Sequence, residues 1–245
     1  MDLFYPEMCI RVGSCTMNSG VSITVCSSKD RPYDWAKLQM TDELAKAIPI
    51  SIGDPSHISM GYAGELVPIF SGKVAKATGN NEFLLHDDMA KLEQTPIDVV
   101  FTHCTPQEIV SYCCKQADIT NIQISTTLYT PKVLVPLRGS NALTALKLVN
   151  STWHINVPFY FLDGVFHWDA DNAQSEMCKL EYAKNIISLE KNNDMWEVTS
   201  VALPFIRHSA KVQLYHPVVS GVLEVQRATY MSNPKGFMRT VLLLK

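Results

Sequence analysis

The chain has 245 residues, of which 47% are hydrophobic and 18% are charged, a composition typical of a folded globular protein. This balance excludes a mainly disordered chain. The formal net charge is −3, so there is no surplus of lysine and arginine to neutralise phosphates, and a dedicated nucleic-acid-binding protein is not expected.

Targeting and disulfide signals are missing from the sequence. No apolar run approaches the roughly 18 residues that a membrane span needs, and the first residues lack the basic opening of a signal peptide. The seven cysteines form no C-x-x-C pair. We therefore expect reduced thiols in a cytosol rather than a disulfide framework.

Short alternating segments separated by turn residues fill the first part of the chain. Apolar side chains occupy every second position at residues 21–26 and 57–62. Further strand segments are predicted at residues 66–69, 72–77 and 82–86, with turns between them at 63–65 and 79–81. This spacing predicts a small antiparallel β-barrel or sandwich over residues 1–101.

A helix start signal follows at Thr105, Pro106 and Glu108. Thr105 can cap the helix, Pro106 suits its first position, and Glu108 completes a capping box. The signal predicts a helix from residue 106 to about residue 117. Its inward stripe, at three- and four-residue spacing, consists of Ile109, Val110, Cys113, Cys114 and Ala117.

A second helix and a hairpin complete a mixed segment, after strand-like stretches at residues 122–128 and 132–137. Ser140 is the predicted cap of this helix, whose inward side chains are Ala142, Leu143, Leu146, Val149 and Trp153. Two apolar stretches then flank Asp163 and Gly164, a dipeptide typical of a tight hairpin turn. Residues 102–170 are therefore predicted to form an α+β insert with two helices and a β-hairpin.

Alternation returns in the last part of the chain, at residues 195–201, 211–215, 222–228 and 237–244. Here a strand, Ser220-Gly221, a second strand, a glycine-containing loop and a final strand repeat the order seen around Ser71-Gly72, which indicates a duplicated unit. The predicted fold class is α+β, mainly β. Two small antiparallel β-barrel domains, 1–101 and 171–245, flank the insert, 102–170.

Residues with catalytic chemistry are few. The sequence has no glycine-rich nucleotide motif and no G-x-S-x-G nucleophile motif. The pairs that a small hydrolase would use are His86 with Asp88, or His103 with Cys104. Both pairs also fit ordinary surface or core positions, so we predict no catalytic residue, no metal ligand and no cofactor.

Two further groups have a functional and a structural interpretation. His103 and Cys104 with Cys113 and Cys114 suggest zinc, but their spacing matches no common zinc motif, and buried thiols are the preferred interpretation. A dense aromatic stretch can stack on a sugar or base, yet its alternation favours core packing. That stretch consists of Trp153, Phe159, Tyr160, Phe161, Phe166 and Trp168.

The order of several short motifs resembles a known family. The motifs are Gly53-Asp54, Gly61-Tyr62, Phe70-Ser71-Gly72-Lys73-Val74, Thr105-Pro106-Gln107-Glu108-Ile109-Val110, Ala117-Asp118-Ile119, Leu203-Pro204 and Gly221-Val222-Leu223-Glu224-Val225. In this order, over most of the chain, they resemble the phage tail hub proteins, also called late-control protein D or baseplate hub proteins. Asp118 stands where the family has glycine, and the tyrosine and histidine of the family's last segment are substituted.

The resemblance implies a non-enzymatic structural hub, a homotrimer in which each copy contributes two similar barrels to a ring. Such a ring adapts a sixfold tail tube to a threefold central spike. The implied partners are other copies of the chain, a tail tube or tube-initiator protein, a separate spike protein and other baseplate proteins. DNA would pass through the channel without specific binding, and no membrane insertion is expected.

The implied location is the virion tail or baseplate, after assembly in the bacterial host cytoplasm. Two other classes of function stay open. One is the small hydrolase that uses His86 and Asp88 or His103 and Cys104, and the other is a carbohydrate-binding β module that uses the aromatic hairpin.

Overall fold

The computed structural model describes residues 5–29, 31, 33–162, 164–170 and 177–245, so Asp163 of the predicted hairpin turn lies outside the described residues. These residues form eighteen strands and four helices, and the predicted α+β, mainly β class is confirmed. The strands are β1 (Pro6–Val12), β2 (Cys15–Met17), β3 (Val21–Ser28), β4 (Trp35–Met40), β5 (Pro55–Tyr62), β6 (Glu65–Ala77), β7 (Glu82–His86), β8 (Pro96–Cys104), β9 (Ile122–Ile124), β10 (Lys132–Asn141), β11 (Phe159–Leu162), β12 (Val165–Trp168), β13 (Cys178–Glu181), β14 (Ile186–Asn192), β15 (Met195–Val201), β16 (Lys211–Tyr215), β17 (Ser220–Ser232) and β18 (Met238–Leu244). The helices are α1 (Asp42–Ala47), α2 (Met89–Gln94), α3 (Pro106–Gln116) and α4 (Ala142–Trp153).

The chain divides into two compact units. The β unit contains the described residues of 1–87 and 172–245, and the α+β unit contains those of 88–171. The predicted boundary at 101/102 falls inside β8, which spans Pro96–Cys104. All of β8 belongs to the α+β unit, where it pairs with β10. The predicted domains 1–101 and 171–245 share one sheet, because β17 pairs with β3. The structure thus divides the chain differently from the sequence analysis, and closure into two barrels stays a prediction.

The two halves of the β unit have the same strand order. The first half pairs in the order β3-β4-β7-β6-β5 and the second in the order β14-β15-β18-β17-β16, with every pairing antiparallel. In both halves the fourth of these strands along the chain, β6 or β17, is 13 residues long. The halves differ in their outer strands, since β1 pairs antiparallel with β5 whereas β13 pairs parallel with β16. This shared topology supports the duplication inferred from the sequence.

One hydrophobic core fills the β unit. Side chains of the first half, such as Ile58 and Leu85, belong to the same buried cluster as Val198, Tyr230 and Leu242 of the second half. All five are fully buried. Because apolar burial is the main favourable term in folding, the two halves stabilise each other through this common core.

The capping box is confirmed at the start of α3. The Thr105 side chain accepts a hydrogen bond from the backbone N–H of Glu108, and the Glu108 carboxylate accepts one from the backbone N–H of Thr105 at 2.7 Å. The hydrogen bonds that the backbone N–H and the hydroxyl of Thr105 donate to the carboxylate lower the pKa of Glu108. The predicted inward stripe of α3 is buried throughout. Local capping chemistry and helical periodicity therefore fix this element, as the sequence predicts.

Other local predictions need correction. Ser140 does not cap α4, because β10 continues through it to Asn141, whose side chain accepts from the N–H of Thr144 at 2.8 Å. Four of the five predicted inward side chains of α4 are buried, and Trp153 is half-buried. The two predicted strands at 66–69 and 72–77 are one strand, β6, and the strand predicted at 122–128 is confined to β9. No helix in the described part of the chain is long and apolar enough to span a membrane.

Candidate functional site

The first candidate catalytic pair is divided between the two units. The His86 ring, in the β unit, packs against Tyr33 with ring centroids 4.5 Å apart. Asp88, in the α+β unit, forms a salt bridge to Lys91 at 2.9 Å. Each side chain thus contacts a neighbour of its own unit.

The second candidate pair lies at the end of β8. His103 is exposed with a positive φ of 49°, and Cys104 is buried beside it. Burial raises the pKa of Cys104, and it raises the pKa of Cys113 and Cys114 to about 12. Because thiolates are both the nucleophiles and the metal ligands, these thiols are poorly suited to either task. Within the described residues no three His, Cys, Asp or Glu side chains form a metal-binding group.

One nucleophile and base contact was not anticipated from the sequence. The Ser71 hydroxyl lies 3.1 Å from Nδ1 of His57 on neighbouring strands β6 and β5. The contact is exposed, and the residue opposite His57 on β1 is Arg11, a cation where a catalytic triad has a carboxylate. This pair is a cross-strand contact on an exposed sheet face.

Most of the aromatic stretch forms the interior of the α+β unit. The rings of Tyr160, Phe161, Phe166 and Trp168 are all buried, and Tyr160 stacks on His167 with centroids 5.2 Å apart. The hairpin of β11 and β12 has the predicted antiparallel pairing, from Phe159↔Trp168 to Leu162↔Val165. A sugar-binding platform needs exposed ring faces, so core packing is the better interpretation of these residues.

Two carboxylates, Asp34 and Asp87, tie the ends of three strands in the β unit together. Asp87 accepts a hydrogen bond from the N–H of Asp34 at 3.1 Å, and Asp34 accepts one from the N–H of Ser28 at 3.0 Å. Desolvation of the Asp34 carboxylate raises its pKa from the usual 3.8 to about 6, although the Ser28 bond and the charge of Arg207 oppose the shift. The acid form of Asp34 is therefore favoured by folding.

This shift predicts a pH dependence of stability. Between its two pKa values Asp34 binds more protons in the folded than in the unfolded state, so the free energy of unfolding falls as pH rises from about 4 to about 6. We expect a loss of roughly 2 kcal/mol over that window. Asp34→Asn keeps an acceptor for Ser28 and should flatten the slope in urea unfolding. Glu43→Gln, on exposed α1, should keep it, and an unchanged slope in Asp34→Asn contradicts the assignment.

Two stretches of strand in the β unit, β14 and the last residues of β6, have an unpaired edge that suits assembly. Strand β14 is a terminal strand of the sheet and, among the described residues, pairs with β15 alone. Strand β6 pairs with β5 as far as Lys73, and Val74 exchanges backbone hydrogen bonds with Gly53 and Asp54. Beyond Val74, residues 75–77 of β6 pair only on the β7 side within the described residues. Unpaired strand edges are templates for pairing with another chain.

The sequence does not identify β14 as an edge. A short signal for the strand is present, since apolar and polar residues alternate at residues 187–190, before a turn at Asn193 and Asp194. Register cannot be read from that pattern, because alternation identifies a strand but not its neighbours. The position of β14 at the end of the sheet is therefore visible only in the structure.

Comparison with solved structures finds phage tail proteins of the same fold. The 43 kDa tail protein of prophage MuSo2 from Shewanella oneidensis has a TM-score of 0.77 and 14% sequence identity, covering 98% of this chain and 96% of its own. A tail protein from Neisseria meningitidis MC58 has a TM-score of 0.75 and 10% identity, covering 99% and 96%. Known protein families and curated proteins give no match to the sequence.

A third similar structure connects the fold to secretion. The E. coli c3393 protein is described as a component of the type VI secretion system with structural similarity to the T4 bacteriophage tail proteins gp27 and gp5. It has a TM-score of 0.73 and 11% identity, covering 96% of this chain and 76% of its own. The chain therefore has the fold of phage tail proteins, and the resemblance identified from the sequence motifs is confirmed in its fold.

Proposed function

We propose that this chain is a non-enzymatic structural protein of a phage or phage-derived tail, located in the virion tail or baseplate. Its fold likeness to tail proteins over nearly the whole chain supports this proposal. The candidate pairs His86 with Asp88 and His103 with Cys104 are assigned structural roles, in line with their neighbours. The finer proposal is a hub, in which three copies form a ring.

The observation that carries the hub proposal is a strand pairing inside the chain. Strand β17, the long strand of the second half, pairs with β3, the first strand of the first half. By the shared strand order, β6 corresponds to β17 and β14 corresponds to β3. Between neighbouring copies, the free edge of β6 in one copy would therefore pair with the free edge of β14 in the next, as β17 pairs with β3 within one chain. Head-to-tail contacts of this kind generate closed rings when the rotation closes.

A ring of three copies presents six similar halves. It can meet a sixfold tail tube on one side and, because the halves alternate, a threefold central spike on the other. The proposed partners are thus a tube or tube-initiator protein, a spike protein and other baseplate proteins, with assembly in the bacterial cytoplasm. The net charge of −3 suits a channel wall that does not retain passing DNA.

The exposed edge of β14 gives a direct test of the ring. Ile187 lies on this strand and half of its side chain is exposed. A lysine at an edge strand opposes pairing with another strand, because its charge would be desolvated in the contact. We expect Ile187→Lys to weaken self-association by at least about tenfold. Light scattering after size exclusion should give three times the chain mass for the wild type and one chain mass for the variant.

A matched variant separates the edge from general surface charge. Val218 is exposed in the loop between β16 and β17, so Val218→Lys adds the same charge away from the free edges and should remain trimeric. The measurement is made alone and with tube or spike protein added, because assembly can depend on a partner. The hub proposal is contradicted if the wild-type chain stays monomeric in the presence of both the tube protein and the spike protein. It is also contradicted if the Ile187→Lys variant still forms a trimer.

A further inference from the structure

A groove lies on the outer face of the second half of the β unit. Its volume is about 580 Å³, and it is formed over strands β15, β17 and β18 by side chains that include Thr199, Met231, Phe237, Arg239 and Val241. Val241 lies opposite Thr199, and Met231 lies opposite Arg239. The floor is thus apolar with one cation at its side, and the volume is in the range of sites that bind ligands or peptide side chains.

The aromatic wall of the groove is held in place by its own loop. Asn233 Oδ1 accepts hydrogen bonds from the N–H groups of Lys235 at 3.0 Å and Phe237 at 3.1 Å. The Asn233 N–H donates to the Phe237 carbonyl, and the Gly236 N–H donates to the Asn233 carbonyl, both at 3.0 Å. Phe237 is 68% exposed at the end of this ordered turn. Because the backbone of this turn is already ordered, less entropy is lost when Phe237 is bound, and aromatic side chains are typical of interface hot spots.

The cation of the groove has no ionic partner in the described part of the chain. Arg239 takes part in none of the four salt bridges there. Its side chain is exposed, so its charge is available to an incoming group. A guanidinium with its five N–H donors matches a carboxylate in a bidentate geometry. The groove therefore combines apolar side chains with a cation that is complementary to a carboxylate.

The corresponding turn of the first half lacks the aromatic side chain. The turn between β6 and β7 consists of Thr78, Gly79, Asn80 and Asn81. On the neighbouring strands the Lys37 cation is neutralised by Glu82 at 2.6 Å, whereas Lys76 of β6 is exposed and takes part in none of the four salt bridges of the described residues. Since the same strand order forms without an exposed aromatic residue in this turn, the fold does not require one there. The exposed Phe237 is therefore the difference between the halves that points to a binding role for the groove.

We infer that this groove binds an extended segment of a partner protein in which an apolar side chain lies next to an aspartate or glutamate. The occupant is recognised by its side chains, because β18 is paired on both sides by β15 and β17 and cannot accept another strand. One cation is not enough to hold a nucleic acid, whose binding depends on many phosphate contacts. The site belongs to a single copy of the chain and does not depend on the proposed ring.

The test uses the full chain and a synthetic array of peptides about twelve residues long, within the span of a surface groove. Each peptide has a central leucine or phenylalanine flanked by aspartate, by lysine or by serine. We expect the aspartate series to bind best. In fluorescence polarisation, Arg239→Glu should weaken that series by about tenfold or more and favour the lysine series, because the charge complementarity is reversed. Phe237→Ser should weaken both series.

Controls make each outcome decisive. Arg11→Glu changes an exposed arginine of the first half and should leave peptide binding unchanged, and urea unfolding checks that every variant is folded. The inference is overturned if no series binds, if aspartate and lysine series bind equally, or if Arg239→Glu has no effect. Two further results would overturn it. If only a single-stranded oligonucleotide binds, and its binding depends on Arg239, the occupant is a nucleic acid. If the only effect of Phe237→Ser is to lower the self-associated mass, the occupant is a second copy of the chain.

Discussion

Replacing Gly72 with alanine is expected to lower the free energy of unfolding by roughly 3 kcal/mol, near the upper end for a point substitution. Gly72 lies on β6 next to Lys73, where this strand begins to pair with β7 while still pairing with β5. A Cβ at this position would overlap the carbonyl oxygen of His86 and lie 2.7 Å from its carbonyl carbon. Both atoms belong to the backbone of β7, so relief requires the strands to separate.

Gly79→Ala is the matched control for this substitution. Gly79 lies in the turn that follows β6, and the nearest atom to a new Cβ there is the Glu82 Cβ at an ordinary 3.6 Å. We expect its effect to stay within about 1 kcal/mol, and a gain is possible through the unfolded state. Urea unfolding of both variants measures the difference. Equal midpoints for Gly72→Ala and Gly79→Ala would contradict the close approach of β6 and β7.

Arg207→Met is expected to destabilise the β unit by about 3 kcal/mol, because it leaves buried acceptors without their donor. The buried guanidinium donates to the carbonyls of Pro68 and Pro204 and to the hydroxyl of Tyr230, the last at 2.8 Å. Pro68 belongs to the first half, whereas Pro204 and Tyr230 belong to the second. Methionine has a similar length but no donor, so the change removes the bonds with little change in packing volume.

Two further variants identify the cause of this loss. Arg207→Lys supplies a single ammonium that cannot reproduce the planar fork, so we expect an intermediate midpoint. Arg11→Met removes an exposed arginine of the same unit and should change stability by no more than about 0.5 kcal/mol. Thermal unfolding followed by circular dichroism measures all three. A wild-type midpoint for Arg207→Met would show that these bonds do not stabilise the contact between the halves.

Local elements were predictable where neighbouring residues decide them. The capping box at Thr105 and Glu108 and the buried stripe of α3 depend on residues within a few positions of each other. Strands β15 and β16 were predicted with their observed bounds, because one face is buried and alternation reports it. The Ser140 cap was wrong because strand pairing extends β10 through that residue, a contact with Pro96 and Ile97 far away in the sequence.

The candidate surfaces were less accessible to sequence reasoning. The short alternation at residues 187–190 indicates a strand, but no nearby residue shows that β14 ends the sheet. The groove brings Thr199 next to Val241, and the Asn233 turn holds Phe237 beside them. Arg239 differs from the other arginines because it lies beside the apolar side chains of the groove, and the sequence pattern around it does not show which residues lie beside it. The motif order indicates a resemblance to tail proteins, but it does not indicate the free strand edges or the groove that would bind partner proteins.

The amino-acid sequence by itself determined the mainly β composition, the bounds of several strands and α3, and the motif order shared with tail hubs, because these depend on periodicity and nearest neighbours. The tertiary structure alone decided that β17 pairs with β3 and that the two halves share one core. Such pairings join residues about two hundred positions apart, and their entropy cost is met only by burial over the whole sheet. Register and edges are consequently properties of the folded unit, and the assembly surfaces follow from them.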